Sequence, residues 1–157
     1  MSLYAFAFLI GLVTGLRSMT APAAVSWAAR LGWLNLQGTP LAFLGAAATP
    51  WIFTLAALGE LVADKLPKAR SRKSPPAFIA RIVVGALCGA AVGAAGHALV
   101  AGGVGGVVGA VAGTLGGYEF RTRLARAVGR DLPAALLEDI IAIVLAILAV
   151  RGARSIG

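Results

Sequence analysis

The placement of charge constrains this chain most. Long runs of Ala, Leu, Gly and Val carry almost no charge, and most of the bases are collected in the short stretches between them. Runs of this length without period-two alternation are helices in apolar surroundings, not strands. A bilayer accepts only helices or closed barrels, because every backbone N–H and C=O must find its partner inside the protein. Composition agrees: 59% of residues are hydrophobic and 13% charged, about half the roughly 25% charge that soluble domains carry. The expected fold class is therefore all-α, a polytopic transmembrane helical bundle with about five membrane helices plus short interfacial or broken helices. Residues 1–157 read as a single membrane domain.

A net charge of +8 can mark a nucleic-acid binder, but that reading needs a basic face on a soluble fold. Here the bases lie between apolar runs, as the positive-inside rule requires, so no nucleic-acid partner is expected. The linker Lys65–Pro76 holds Lys65, Lys68, Arg70, Arg72 and Lys73 with no acid after Asp64. It is assigned to the cytoplasm of a bacterial inner-membrane, multi-pass protein. Counting helices from it places the N-terminus inside and the C-terminus outside; Arg151 and Arg154 run against that rule. The run Leu3–Leu16 has the length of a signal peptide but no basic region before it, so it is read as a retained helix. Cys88 sits in an apolar run as a packing residue.

Helix one covers Leu3–Leu16, about 21 Å against a hydrocarbon thickness of roughly 30 Å. Arg17-Ser18-Met19-Thr20-Ala21-Pro22 interrupts it. A second segment follows, with Thr20 as cap, Pro22 in its first turn and Gly32 as its stop. Helix two is expected from Thr39-Pro40 to Lys65 with a kink at Pro50, helix three from Ala77 to Val100, and helix four from Gly102 to Tyr118. Glu119–Arg130 reads as a separate interfacial helix with Arg121, Arg123, Arg126 and Arg130 toward lipid headgroups. Helix five runs from Asp131, its cap, to Val150. The order helix, short segment, helix occurs at both ends of the chain. Units 1–66 and 102–151, joined by helix 77–100, are thus expected as an inverted repeat around a glycine-rich helix three–four hairpin.

Gly85, Gly89 and Gly93 recur every four residues, as do Gly105, Gly109, Gly113 and Gly117. Such ridges let helix backbones approach closely where lipid supplies no hydrophobic drive. They serve packing within the hairpin, or a homo-oligomer interface on whichever face remains, and a homo-oligomer is the expected state.

The chain has six acids: Glu60, Asp64, Glu119, Asp131, Glu138 and Asp139. All lie within or at the ends of apolar helices, where an ionisable group is costly and is a functional candidate. Glu60 and Asp64 share a helix face. Glu138 and Asp139 lie in the first turns of helix five, and Glu119 can pair with Arg123 one turn on. Two readings stand side by side: ion pairs to Arg17, Arg81 or Lys65 that tie helices together, or a site for a cation, proton or small charged solute. Arg17 with Ser18, Thr20 and the free N–H groups of a new helix can cradle an anion or lipid phosphate; alternatively it snorkels to the headgroups. His97 is the only histidine, and no P-loop, dinucleotide fingerprint or nucleophile elbow is present, so neither a cofactor nor soluble-type enzymology is expected.

The stretch Gly15–Ala23 with Arg17, Ser18 and Pro22, together with Asp64-Lys65-Leu66-Pro67 and Glu138-Asp139, resembles a family of small bacterial membrane proteins classed as domain of unknown function 4126. The resemblance covers most of the chain. It implies that Arg17, Ser18, Pro22, Glu60, Asp64, Lys65, Pro67, Glu138 and Asp139 occupy characteristic positions, and it brings no activity with it. The expected function is a small transporter or channel-like protein with a carboxylate and arginine site. The alternatives are anionic-lipid binding or movement, and a structural membrane protein without ligand.

Overall fold

The structure, a computed structural model, describes residues 1–66 and 74–156. Pro67 and the linker bases Lys68, Arg70, Arg72 and Lys73 lie outside the described residues. Six α-helices follow one another among the described residues: α1 (Leu3–Leu16), α2 (Thr20–Arg30), α3 (Thr49–Ala63), α4 (Pro75–Ala95), α5 (Leu99–Val128) and α6 (Asp131–Arg154). No strand occurs among the described residues. The chain is an all-α membrane-type protein: α4, α5 and α6 are long and apolar enough to cross a bilayer, and α1 and α3 are shorter apolar helices.

Close approach of glycine backbones sets the packing. A Cβ on Gly89 would stand 2.6 Å from the Gly106 Cα, and one on Gly102 the same distance from the Gly93 Cα, so α4 and α5 touch along their main chains. On its next face α5 meets α1: a Cβ on Gly109 would lie 2.7 Å from the Leu12 amide, and one on Gly15 2.6 Å from the Gly113 carbonyl carbon. The predicted ridge thus divides. Gly85, Gly89 and Gly93 pack on Gly102 and Gly106, Gly109 and Gly113 pack on α1, Gly105 touches Ala7, and Gly117 is buried.

Contacts fix the directions. Leu3 reaches Gly96 and Gly15 reaches Thr114, so α1 runs parallel to α5; Phe6 reaches Gly152, so α6 runs against α1. Trp27 meets Trp51 edge-on at 5.0 Å and donates to Thr54 Oγ1 at 2.9 Å, while Met19 at the start of α2 donates to Glu60 near the end of α3, which lays α2 antiparallel to α3.

Several expectations are corrected. The break at Arg17 reverses the chain, so α1 and α2 form a hairpin. Helix direction alternates along the chain, so the N-terminus lies at the same end of the bundle as the C-terminus, and Leu66 and Ser74 lie at the other. Units 1–66 and 102–151 are not opposed, since their first helices, α1 and α5, run the same way. Pro50 does not kink a helix from Thr39. It opens α3 in the first turn, where a missing N–H costs nothing, and Thr39–Ala48 is irregular apart from a 3-10 turn at Ala42–Gly45. Glu119–Val128 is no separate interfacial helix but the last turns of α5, which stops at Gly129 with φ 79°. Helix three ends earlier than expected, at Ala95, and the chain reverses through His97, whose φ of 58° is left-handed. For an L residue that conformation costs about 1–2 kcal/mol.

Candidate functional site

Reversing a chain between α1 and α2 strands the last carbonyls of one helix and the first amides of the next. Both sets are satisfied from elsewhere. Arg81 of α4 donates from Nη1 to the carbonyls of Gly15 (2.6 Å) and Thr14 (3.4 Å). Glu60 of α3 accepts from the Ser18 amide at 2.9 Å and the Ser18 hydroxyl at 2.6 Å on Oε1, and from the Met19 amide at 2.8 Å on Oε2. Arg81 Nη2 stands 3.5 Å from Glu60 Oε1 and completes the ring. The anion cradle expected at this break is therefore filled by the protein's own carboxylate. Thr20 does not cap α2; the flanking residue is Met19, with no side-chain cap, and Thr20 is buried in the first turn.

Arg17 does not snorkel. Its residue exposure is 0%, and its guanidinium meets carboxylates from two other helices. Nε donates to Asp139 Oδ1 at 2.6 Å, Nη2 lies 2.5 Å from the same oxygen and 3.6 Å from Glu138 Oε2, and Nη1 lies 2.9 Å from Asp64 Oδ2. The Nη contacts are ion pairs, and neither Nη atom makes an aligned hydrogen bond among the described residues. Lys65 Nζ holds the other oxygen of Asp139 at 2.5 Å and the Leu61 carbonyl at 2.9 Å. Arg121 bridges Asp64 at 2.5 Å and Asp131, the latter through two bonds at 2.8 and 2.5 Å, and its Nη1 lies 3.8 Å from Glu138. At 1.5 Å per residue, Asp139 sits about 12 Å in from the start of α6 and Arg81 about 9 Å in from that of α4. The cluster therefore lies roughly a third of the way along both helices.

Of the predicted candidates, the fold brings Arg17, Ser18, Glu60, Asp64, Glu138 and Asp139 together. Glu119 is set apart: it is exposed, and its carboxylate takes Arg123 Nε at 2.7 Å. Arg121, assigned to the headgroups from its spacing with the other arginines, is a member of the cluster instead, because α5 stays helical and carries it beside Asp64. Arg123, Arg126 and Arg130 are exposed. Asp131 is not the cap of α6; that place is Arg130, and Asp131 is the first helical residue, tied to Arg121. Asp131 and Arg121 were legible as charges at helix ends, but not their union, which depends on α5 ending one turn away.

Chemically the cluster is a closed exchange of charges among α1, α3, α5 and α6, with Arg81 of α4 on its border. No group of three or more His, Cys, Asp and Glu side chains has an arrangement suited to a metal ion among the described residues. Each carboxylate faces at least one guanidinium or ammonium, so protonating one would leave a buried cation under-compensated, at a cost of several kcal/mol. The arrangement therefore holds together only while its opposite charges stay matched.

No curated protein and no solved structure matches the chain. A family model described as "Domain of unknown function (DUF4126)" matches residues 4–153. That span holds the break at Arg17, the capping carboxylate of Glu60 and the whole ion-pair cluster, and with it the chain belongs to the DUF4126 family.

Proposed function

We propose that this protein is a small membrane transporter or channel-like protein whose Arg17 cluster is the site for a proton or a small charged solute. One observation carries the reading: a fully buried arginine at a chain reversal, shared by Asp64, Glu138 and Asp139 from two other helices. Replacing a buried ionic cluster by packed apolar side chains is often neutral or stabilising, so a purely structural device has a simpler alternative. A cluster that responds to protonation has none. In this reading the ion pairs hold the basic-linker end shut, and uptake of a proton or solute by a carboxylate frees the hairpin to move. The basic linker faces the cytoplasm of a bacterial inner membrane, which puts both termini outside. The alternating directions of six helices oppose α1–α3 to α4–α6, as in an inverted pair of three-helix halves. A homo-oligomer remains part of the proposal, built on lipid-facing surfaces and not on the glycine ridges, which are used inside the chain.

The test is flux in sealed proteoliposomes. Wild-type protein should dissipate an imposed proton or cation gradient, and Glu138→Gln and Asp139→Asn should lower the rate by at least about tenfold while still eluting as folded protein. Wild-type vesicles as tight as empty ones to every ion tried, or both carboxamides at full rate, would sink the idea.

A second reading, anionic-lipid binding, is favoured by the exposed Arg126 and Arg130 near the end of α5, which make no ion pair among the described residues. It predicts that phosphatidylglycerol raises the melting temperature and that Arg126→Gln with Arg130→Gln removes most of the rise.

A further inference from the structure

The end of the molecule that carries the termini differs in charge from the cluster end. All six acidic side chains lie toward the cluster end, whereas this end carries Arg30, Arg151 and Arg154 with no acidic side chain to meet them. A cleft of about 560 Å³ opens there between the loop Gly32–Thr39, the α4–α5 turn and the end of α6; Trp33, Asn35, Gln37, His97 and Arg154 line it. That is within the size range of small-ligand sites, roughly 300–1,000 Å³. Arg154 Cζ lies over the Trp33 ring, 5.4 Å from its centroid, a cation–π contact that holds the guanidinium at the cleft. The Asn35 carbonyl oxygen accepts from the Gln37 amide at 3.2 Å, so its NH2 group is a donor still to be used. His97, which closes the α4–α5 turn, is held in the left-handed conformation that collects at binding sites.

An arginine with no counter-ion among the described residues, two carboxamides and an imidazole form a donor-rich cleft. We propose that this cleft binds a phosphate group, either free phosphate or the phosphate of a lipid headgroup, with Arg154 as its charged anchor and Asn35 and Gln37 as hydrogen-bond donors. The site stands apart from the Arg17 cluster, and it holds whether or not that cluster moves charge.

The full chain in neutral detergent is titrated with sodium phosphate against sodium chloride at matched ionic strength, with heat of binding and melting temperature as readouts. In parallel, phosphatidylglycerol is titrated into phosphatidylcholine nanodiscs holding the protein. Saturable binding of phosphate in detergent identifies a free anion as the source; a saturable response to phosphatidylglycerol alone identifies a headgroup. In either case Arg154→Gln should weaken binding by at least about tenfold, the loss expected for one charge-assisted contact. Arg151→Gln, also exposed but outside the cleft, should change it by less than about twofold. Asn35→Leu gives a second variant should Arg154→Gln fold poorly, with a smaller loss expected. Silence in both titrations overturns the proposal, as does a response that survives Arg154→Gln and Asn35→Leu, or one that falls equally with Arg151→Gln.

Discussion

Two of the tight reversals in the chain, α1–α2 and α4–α5, are built from different materials. Between α4 and α5 the turn is local: Gly96 donates to the Gly93 carbonyl at 3.0 Å, His97 to Ala94 at 3.1 Å, and Ala98 to Gly93 at 2.8 Å. Nothing distant is needed, and the glycine faces on either side zip the helices together. Between α1 and α2 the backbone cannot close on itself, and its stranded groups are met by Glu60 and Arg81 from two other helices. The contrast teaches a rule about position. A turn with exposed His97 at its tip can leave remaining polar groups to water. A turn buried in the bundle must import charged side chains, each of which then needs a partner of its own.

Removing the centre of the imported set should give the largest effect. Arg17→Leu leaves Asp64, Glu138 and Asp139 facing one another with one cation fewer, and should cost about 3–5 kcal/mol. Thermal unfolding in detergent would read this as a drop of many degrees or as protein that no longer elutes monodisperse. A fall of only a degree or two would mean that the cluster is not the keystone of the first turn. Next comes Glu60→Leu, which strips acceptors from two backbone amides and should cost about 2–4 kcal/mol, with Glu60→Gln recovering part of the loss through its remaining carbonyl oxygen. Equal melting temperatures for the two variants would refute capping as the role of Glu60.

At the second turn the backbone contacts themselves are the target. Gly89→Ala drives a methyl group toward the Gly106 main chain and should cost about 1–3 kcal/mol. Gly116→Ala meets nothing within 4 Å and serves as its control. His97→Gly should raise stability by about 1 kcal/mol by relieving the left-handed strain. The smallest change is expected at Ser26, whose buried hydroxyl has no partner among the described residues. Ser26→Ala should be neutral or raise stability by up to about 1 kcal/mol.

How much of this was legible follows the same division. The bounds of α1 and the start of α6 are written locally, in unbroken apolar runs and a proline in the first turn, and the structure matches both. The stop at Gly32 likewise rests on a single residue able to take a positive φ. The continuity of α5 was missed because polarity changes at Glu119 while helix propensity does not: Glu, Arg, Leu and Ala all extend a helix. That the break at Arg17 turns back could not be read from residues 17–22, since the acceptor that permits it is supplied by residue 60 and the donor by residue 81. The acids were recognisable as costly, but their pairing was not, because the partners come from helices whose direction depends on that same turn. Arg121 shows this plainly: grouped by spacing with Arg123, Arg126 and Arg130, it points to Asp64, 57 positions away.

The trans cap has a consequence in time. During synthesis α1 and α2 are complete long before the groups that satisfy their turn exist: Glu60 arrives 42 residues after Ser18, and Asp139 arrives 122 residues after Arg17. Until Glu60 and Asp64 emerge, therefore, the first hairpin carries bare amides and an unneutralised guanidinium that hydrocarbon will not accept, and the guanidinium gains its remaining partners only with Glu138 and Asp139. It has to wait in the company of water or of the insertion machinery, and only the emergence of α6 lets it settle. The first helices to be made are the last to be finished.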